Sequence, residues 1–334
     1  MKRICNFTKS VSRRFSLSAI ATGAVFGLFG LNHASANTYP ERPITLVLAY
    51  APGGGVDALG RAIARELEKI LQQSVVIVNR PGAGGVIGAT AVARAAPDGY
   101  TLFVGDVALV TAPSLMKNVS YSLTKDFEAI SPLSSAPLVL TVPISSPIKS
   151  LAELDAYGKK SAAGMTFSSA GIGSTPHLAG ELLKLNSKAN YAHVAYKGSG
   201  PAMLDLIAGR LDFAFSTIAA ARPFVEQGKL RVLATTGTDR SAAYPNIPTV
   251  AESMPGFKVI FWTGLLAPAK TPQAILEKLN NAVRQALETN EMQEALKKTG
   301  ESTNYLPLKQ SKDFFLDESN RWGKIISEAK IQIE

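Results

Sequence analysis

Apolar positions switch between two spacings along this chain, and the switches mark its elements. Leu46-Val-Leu-Ala-Tyr50 is a continuous apolar run, the pattern of a strand buried on both faces. Pro52 and three glycines turn the chain into a segment whose apolar residues Leu59, Ile63, Leu67 and Ile70 recur at helical spacing. Residues 75–78 are a β-branched run, followed by a glycine-rich turn and a helix to about residue 96. A third strand spans 101–104 and a third helix 107–116. Three strand–helix repeats predict a parallel sheet with helices on both faces. Right-handed crossovers bring the strand C-terminal ends to one edge, beyond which ligands bind.

Residues 126–142 read as extended. Pro143, Pro147 and the serines between them predict a linker, and Ser150 a helix cap. Strands at 165–168, 193–195, 211–215 and 230–235 alternate with helices at 178–185, 202–208 and 218–226, a second βα series with its own smaller sheet. Tyr244-Pro-Asn-Ile-Pro248 returns the chain. A strand at 259–266 and helices at 272–287 and 311–329 follow. The expected class is α/β: two lobes joined by two extended crossings, with a ligand cleft between them. Residues 37–142 and 249–334 form the first lobe and 143–248 the second.

Residues 1–36 change the compositional picture. Lys2, Arg3, Lys9, Arg13 and Arg14 form a basic head, an apolar run follows, and Ala34-Ser-Ala36 is a small-residue cleavage site. This is the pattern of a secretory signal peptide cut after Ala36. It holds five basic residues and no acid, so its removal lowers the net charge from +9 to +4. That balance, without a basic cluster interleaved with aromatics, points away from nucleic acid. The single cysteine, Cys5, lies in the signal, so the mature chain has no disulfide, thiolate metal site or cysteine nucleophile.

The candidate chemistry is that of binding. Nucleophilic catalysis needs a base beside the nucleophile, and only His177 and His193 remain after processing. No G-x-S-x-G elbow, P-loop or metal-ligand spacing occurs. Gly82-Ala-Gly-Gly-Val-Ile-Gly88 departs from the dinucleotide fingerprint and reads as a structural turn. Two turns ahead of helices stand out. Gly53-Gly-Gly55 presents backbone amides at a helix start, with Asp57 either a helix cap or an acceptor for a ligand group. Asp106 at a strand end carries the same ambiguity. Residues 168–175, rich in serine, glycine and threonine, answer the first turn from the other lobe. His177 there suits either hydrogen bonding to a ligand or packing; His193 reads as a satisfied core residue. Amides and hydroxyls of this kind can hold a carboxylate without a charged partner.

Several motifs occur in order: Tyr39-Pro-Glu-Arg-Pro, Ala51-Pro-Gly-Gly-Gly-Val-Asp57, Asn79-Arg-Pro-Gly-Ala-Gly-Gly85, Pro97-Asp-Gly-Tyr-Thr-Leu102, His177-Leu-Ala-Gly-Glu181, Tyr196-Lys-Gly198, Pro248-Thr-Val-Ala-Glu252 and Trp262-Thr-Gly-Leu265. In these the whole mature chain resembles the Bug family, the TctC-like extracytoplasmic solute receptors of tripartite tricarboxylate transporters. The resemblance implies a type II periplasmic-binding-protein fold, a small carboxylate ligand, and TctA/TctB-like permease subunits as partners; no cofactor or metal and a periplasmic monomer are expected besides. It assigns first-lobe contacts to Tyr50, Ala51, Pro52, Gly53, Gly54, Gly55 and Asp57, with Gly105 and Asp106. Second-lobe contacts fall on Ser169, Ala170, Gly173, Ser174 and Thr175, with His177, Lys197, Ser216 and Thr217. The family often has Phe-Asp-Asn where this chain has Phe215-Ser-Thr217, which favours a plain carboxylate over an amino acid. Tyr50 replaces a common phenylalanine. A sensor reporting to a membrane regulator shares the fold; a secreted small-acid enzyme would need the nucleophile–base pair that is missing.

Overall fold

The computed structural model describes residues 39–328, 330 and 331, so the signal-peptide segment lies outside it. The first series is β1 (Ile44–Leu48), α1 (Gly55–Leu71), β2 (Val75–Asn79), α2 (Val86–Ala93), β3 (Thr101–Asp106), α3 (Ala108–Leu115), the short α4 (Leu123–Asp126) and β4 (Phe127–Pro143). The second is α5 (Leu151–Lys160), β5 (Met165–Ser169), α6 (Thr175–Ser187), β6 (Tyr191–Ala195), α7 (Ser199–Ile207), β7 (Phe213–Thr217), α8 (Ile218–Glu226) and β8 (Leu230–Thr235). The chain ends with β9 (Ile260–Pro268), α9 (Gln273–Glu288), α10 (Asn290–Thr299), β10 (Ser302–Thr303) and α11 (Leu308–Glu328).

β1 lies between β2 and β3, parallel to both. Its residues Leu46, Val47 and Leu48 are all buried, as a strand covered on both faces requires. α1 packs Leu59, Ile63 and Leu67 into the same core. The expectation of a wholly parallel sheet needs correcting: β9 inserts between β3 and β4, antiparallel to both. β1 and β3 carry the chain toward the cleft. β9 arrives from the second lobe, starts at the cleft and runs away from it, so its direction is set by where the chain returns.

β4 is the first crossing. Up to Pro137 it pairs with β9; from Leu138 it pairs with β7 and β8. The expected linker at Pro143–Pro147 is therefore displaced. Pro143 still belongs to β4, opposite Leu230, and the change of sheet falls inside the strand. Thr236 ties the two crossings together. Its amide donates to Leu138 O at 3.0 Å, its hydroxyl bonds the Leu138 amide at 2.8 Å and Val259 O at 2.6 Å, and its carbonyl accepts from the Val259 amide at 3.0 Å. In the second sheet β5 lies between β6 and β7, parallel to both, and β4 lies between β7 and β8. α10 was not legible as a helix. It starts on the side-chain cap of Thr289 and buries Met292 and Leu296 against the first lobe. No helix among the described residues is long and apolar enough to cross a membrane.

Candidate anion-binding cleft

The first-lobe loop is built by Asp57. It is the third residue of α1, not its cap: the cap position is Gly54, with no side-chain bond. The Asp57 carboxylate turns back to accept from the Gly53 amide at 3.2 Å, from Arg61 at 2.9 and 3.1 Å, and from Asn79 Nδ2 at 3.1 Å. Asn79 Nδ2 also donates to Tyr50 O at 2.9 Å. Burial raises the Asp57 pKa, but these donors outweigh it and hold the carboxylate below its ordinary range. Every acceptor position is engaged, so Asp57 fixes the glycine turn to α1 and β2. Asp57→Ala is expected to cost about 1–3 kcal/mol, the usual loss for hydrogen bonds to a charged group, read as a lower urea midpoint; an unchanged midpoint would contradict this role.

The second-lobe loop is braced by two neutral histidines. His177 Nδ1 accepts from the Gly173 amide at 3.2 Å, and His193 Nε2 lies 2.7 Å from Ser169 Oγ, which also accepts from the Gly171 amide. Their rings lie 4.3 Å apart. Burial, with a further push from His193 and Lys184, lowers His177 to about 3; burial and Lys184 lower His193 to about 4. The sequence left His177 open between ligand bonding and packing. In the structure His177 accepts from the loop backbone, and the ring of His193, itself hydrogen-bonded to Ser169, lies beside it. Ser174 caps α6 and donates to Gly171 O at 2.6 Å.

Between these loops lies a narrow cleft, about 280 Å³ of space not filled by atoms, part of it open to solvent. The first lobe lines it with Tyr50, Gly54, Gly55, Val56, Asp106 and Phe261, the second with Ala170, Pro176, Ser199 and Thr217. Four helix N-termini meet there. Gly54 and Gly55 begin α1, Pro176 is the second residue of α6, Ser199 opens α7, and Thr217 caps α8. Neither α1 nor α7 has a side-chain cap, so their first amides keep their donors for another acceptor. Four positive dipole ends converging on one cavity favour an anion. The buried hydroxyls of Ser168, Thr175 and Ser216 make no hydrogen bond among the described residues, an uncommon state for buried polar groups.

The lobes touch across the cleft. The Ala51 amide donates to Lys197 O at 3.0 Å and Thr111 Oγ1 to Gly173 O at 2.7 Å. Glycines bring the backbones together: a Cβ on Gly84 would meet Ile172 O at 1.8 Å, and one on Gly200 would meet Pro52 O at 2.5 Å. Of the residues expected here, Lys197 gives only its carbonyl, its side chain being exposed. Gly105 is a spacer opposite Gly264, where a Cβ would strike Phe103. The cleft also draws on Ser199, Phe261, Thr111, Gly84 and Gly200, which the sequence does not mark as contacts. Ser199 and Gly200 lie within Tyr196-Lys-Gly-Ser-Gly-Pro201, whose turn before a helix was the available signal.

Asp106 stands at the first-lobe wall. Both its oxygens lie 3.0 Å from Tyr50 Oη, and Oδ1 accepts from the Ala108 amide at 3.1 Å. Tyr50 Oη is also 3.2 Å from Gly84 O. Burial pushes Asp106 up to about 7, a rise that the Tyr50 and Ala108 bonds only partly offset.

Two lobes hinged on paired crossings, with helix N-termini aimed into the cleft, define a solute-binding protein. The chain belongs to the tripartite tricarboxylate transporter receptor family, which matches residues 59–331. Among its relatives, BugT of Bordetella pertussis is 35% identical over 303 residues, covering 90% of this chain and 93% of BugT. The periplasmic binding protein BugD has the same fold, with a TM-score of 0.85 at 32% identity, covering 89% of this chain and all of BugD. MatC from Rhodopseudomonas palustris, solved with bound malate, gives a TM-score of 0.80 at 33% identity over 86% of this chain and all of MatC. An R. palustris protein solved with adipate gives 0.85 at 32% identity over 88% of this chain and 99% of its own. These relatives are binding proteins, not enzymes, and so is this chain.

Proposed function

We propose that this protein captures a small carboxylate in the periplasm by closing its lobes over it, and delivers it as a monomer to TctA/TctB-like permease subunits. The lobes are those expected from the sequence with the first crossing moved to the change of sheet inside β4, at Pro137–Leu138, behind a signal peptide removed after Ala36. The observation that carries the reading is the convergence of four helix N-termini on one cavity lined by no lysine, arginine or histidine. Such a site neutralises a carboxylate with amides and hydroxyls, whose small dipoles also fit its shape. The malate and adipate held by two relatives are of the same chemical class.

The test is thermal unfolding of residues 37–334 with a panel of mono-, di- and tricarboxylates and their neutral amides. A ligand at a hundred times its Kd adds about 2.7 kcal/mol, a rise of roughly 4 °C for a mature chain of this size. At least one acid is expected to raise the Tm and its amide not to. If no acid does, the carboxylate reading fails.

A further inference from the structure

Asp106 is an acid at the wall of a cleft built for acids. It is 3% exposed, yet it lines the cavity alongside the starts of α1 and α7. The groups that face it are few. From the end of β1 comes Tyr50. From the loop before α4 comes Tyr121, whose pKa burial raises, with a further rise from Asp106. α2, α3 and β9 contain no Asp, Glu, Lys, Arg, His or Tyr. β9 pairs with Asp106 through Thr263, which bonds Ser134, and Ser134 bonds the buried Glu301. The carboxylate of Asp57 on α1 is matched by Arg61. Across the cleft α6 brings Pro176, followed by the neutral His177. No cation among the described residues bonds or pairs with Asp106.

We propose that Asp106 is a recognition residue that holds a proton while a carboxylate occupies the cleft, so that each ligand anion is captured together with one proton. This rests on the carboxylate reading above. Two carboxylates confined to one desolvated site do not both ionise. A free aliphatic acid titrates near the ordinary carboxylate range, whereas burial has already pushed Asp106 up to about 7. The proton therefore stays on Asp106 and the charge on the ligand, where the four helix ends act on it. Tyr50 lets the site serve both states. With Asp106 ionised, the Tyr50 hydroxyl donates to it at 3.0 Å. With Asp106 neutral, that hydroxyl turns to Gly84 O at 3.2 Å, and the new O–H of Asp106 is free to donate to Tyr50 Oη or to the ligand. The proton comes from solvent and returns to it on release.

Calorimetric titration of the mature protein with an acid identified by the thermal screen tests this. The titration is run in buffers of differing ionisation enthalpy, at pH 5 and pH 8. Close to one proton taken up per ligand at pH 8, and almost none at pH 5, is expected. The Kd should be flat below about pH 6 and rise about tenfold per unit above pH 7. Asp106→Asn should abolish the uptake. Should that variant not fold, the wild-type Kd-against-pH curve decides alone. Binding at pH 8 without proton uptake, or uptake that survives Asp106→Asn, overturns the proposal while leaving the carboxylate reading intact; no acid binding at either pH overturns both.

Discussion

Gly200→Ala is expected to weaken ligand binding by about 10- to 100-fold without destabilising the fold. Gly200 is the second residue of α7, and its φ is not in the left-handed region. Alanine is the better helix residue by about 0.5–1 kcal/mol, a gain that crowding by the following Pro201 offsets. Within its own lobe the added methyl is thus nearly neutral. Across the cleft it is not. Its Cβ would stand 2.5 Å from Pro52 O, and the carbonyl belongs to a turn fixed by Asp57 and Asn79. Overpacking of this kind costs about 1–3 kcal/mol, and here the cost falls on the closed arrangement alone. At about 1.4 kcal/mol per tenfold, it becomes a loss of affinity. Titration calorimetry gives the Kd, thermal unfolding without ligand the stability, and small-angle scattering the radius of gyration with saturating acid. An unchanged Kd would mean that the Pro52 and Gly200 loops do not meet in the bound protein. A lowered Tm would place the damage inside the second lobe instead.

That contact shows where sequence patterns stop. The elements follow from local periodicity: Leu59, Ile63 and Leu67 form one stripe, and the runs at β1, β3 and β5 are strands because nearby turns bound them. The two loops of the cleft were legible for the same reason, since glycine, serine and threonine ahead of an apolar stripe mark a helix start. Directions and partners across the chain were not. β9 is antiparallel because of where a returning segment enters the sheet, which no local pattern encodes. The crossing lies within β4 at Pro137–Leu138, because Thr236 and Val259, far along the chain, complete its hydrogen bonds there. Asp57 was half legible. Its partner Arg61 stands four residues on, the spacing of a helical ion pair; Asn79, its other donor, is brought near only by the β1–β2 pairing. Nor could composition show that Asp106 is buried against Tyr50, since an acid closing a strand is usually at the surface.

Those buried groups give the protein an unusual response to pH. Without added ligand, stability is expected to fall by about 1 kcal/mol between pH 6 and pH 8, and an Asp106→Asn, Glu301→Gln double variant should instead gain about 1–2 kcal/mol over the same interval. Burial pushes Asp106 and Glu301 each up to about 7, despite the hydrogen bonds that Tyr50 and Ser134 give them. In the unfolded chain they titrate near pH 4. Above that value the unfolded state releases protons that the native state keeps, so each acid withdraws stability as the pH climbs to about 7 and somewhat beyond. His177 and His193 act in the opposite sense. Held at about 3 and about 4, they stay neutral in the native state while the unfolded chain takes up protons below about 6.5, so they withdraw stability as the pH falls. Between about pH 5 and 6 the two pairs nearly cancel and stability should be flat. Between pH 6 and 8 the two acids withdraw about 2.7 kcal/mol while the two histidines return only about 1.6 kcal/mol, so the acids dominate. Neutralising both acids leaves the histidines alone and reverses the slope. Urea unfolding of the wild type and the double variant at pH 6 and pH 8 measures the four free energies. If the variant keeps the wild-type slope, Asp106 and Glu301 are ionised in the native protein at pH 6, and the sealed environment assigned to them here is wrong.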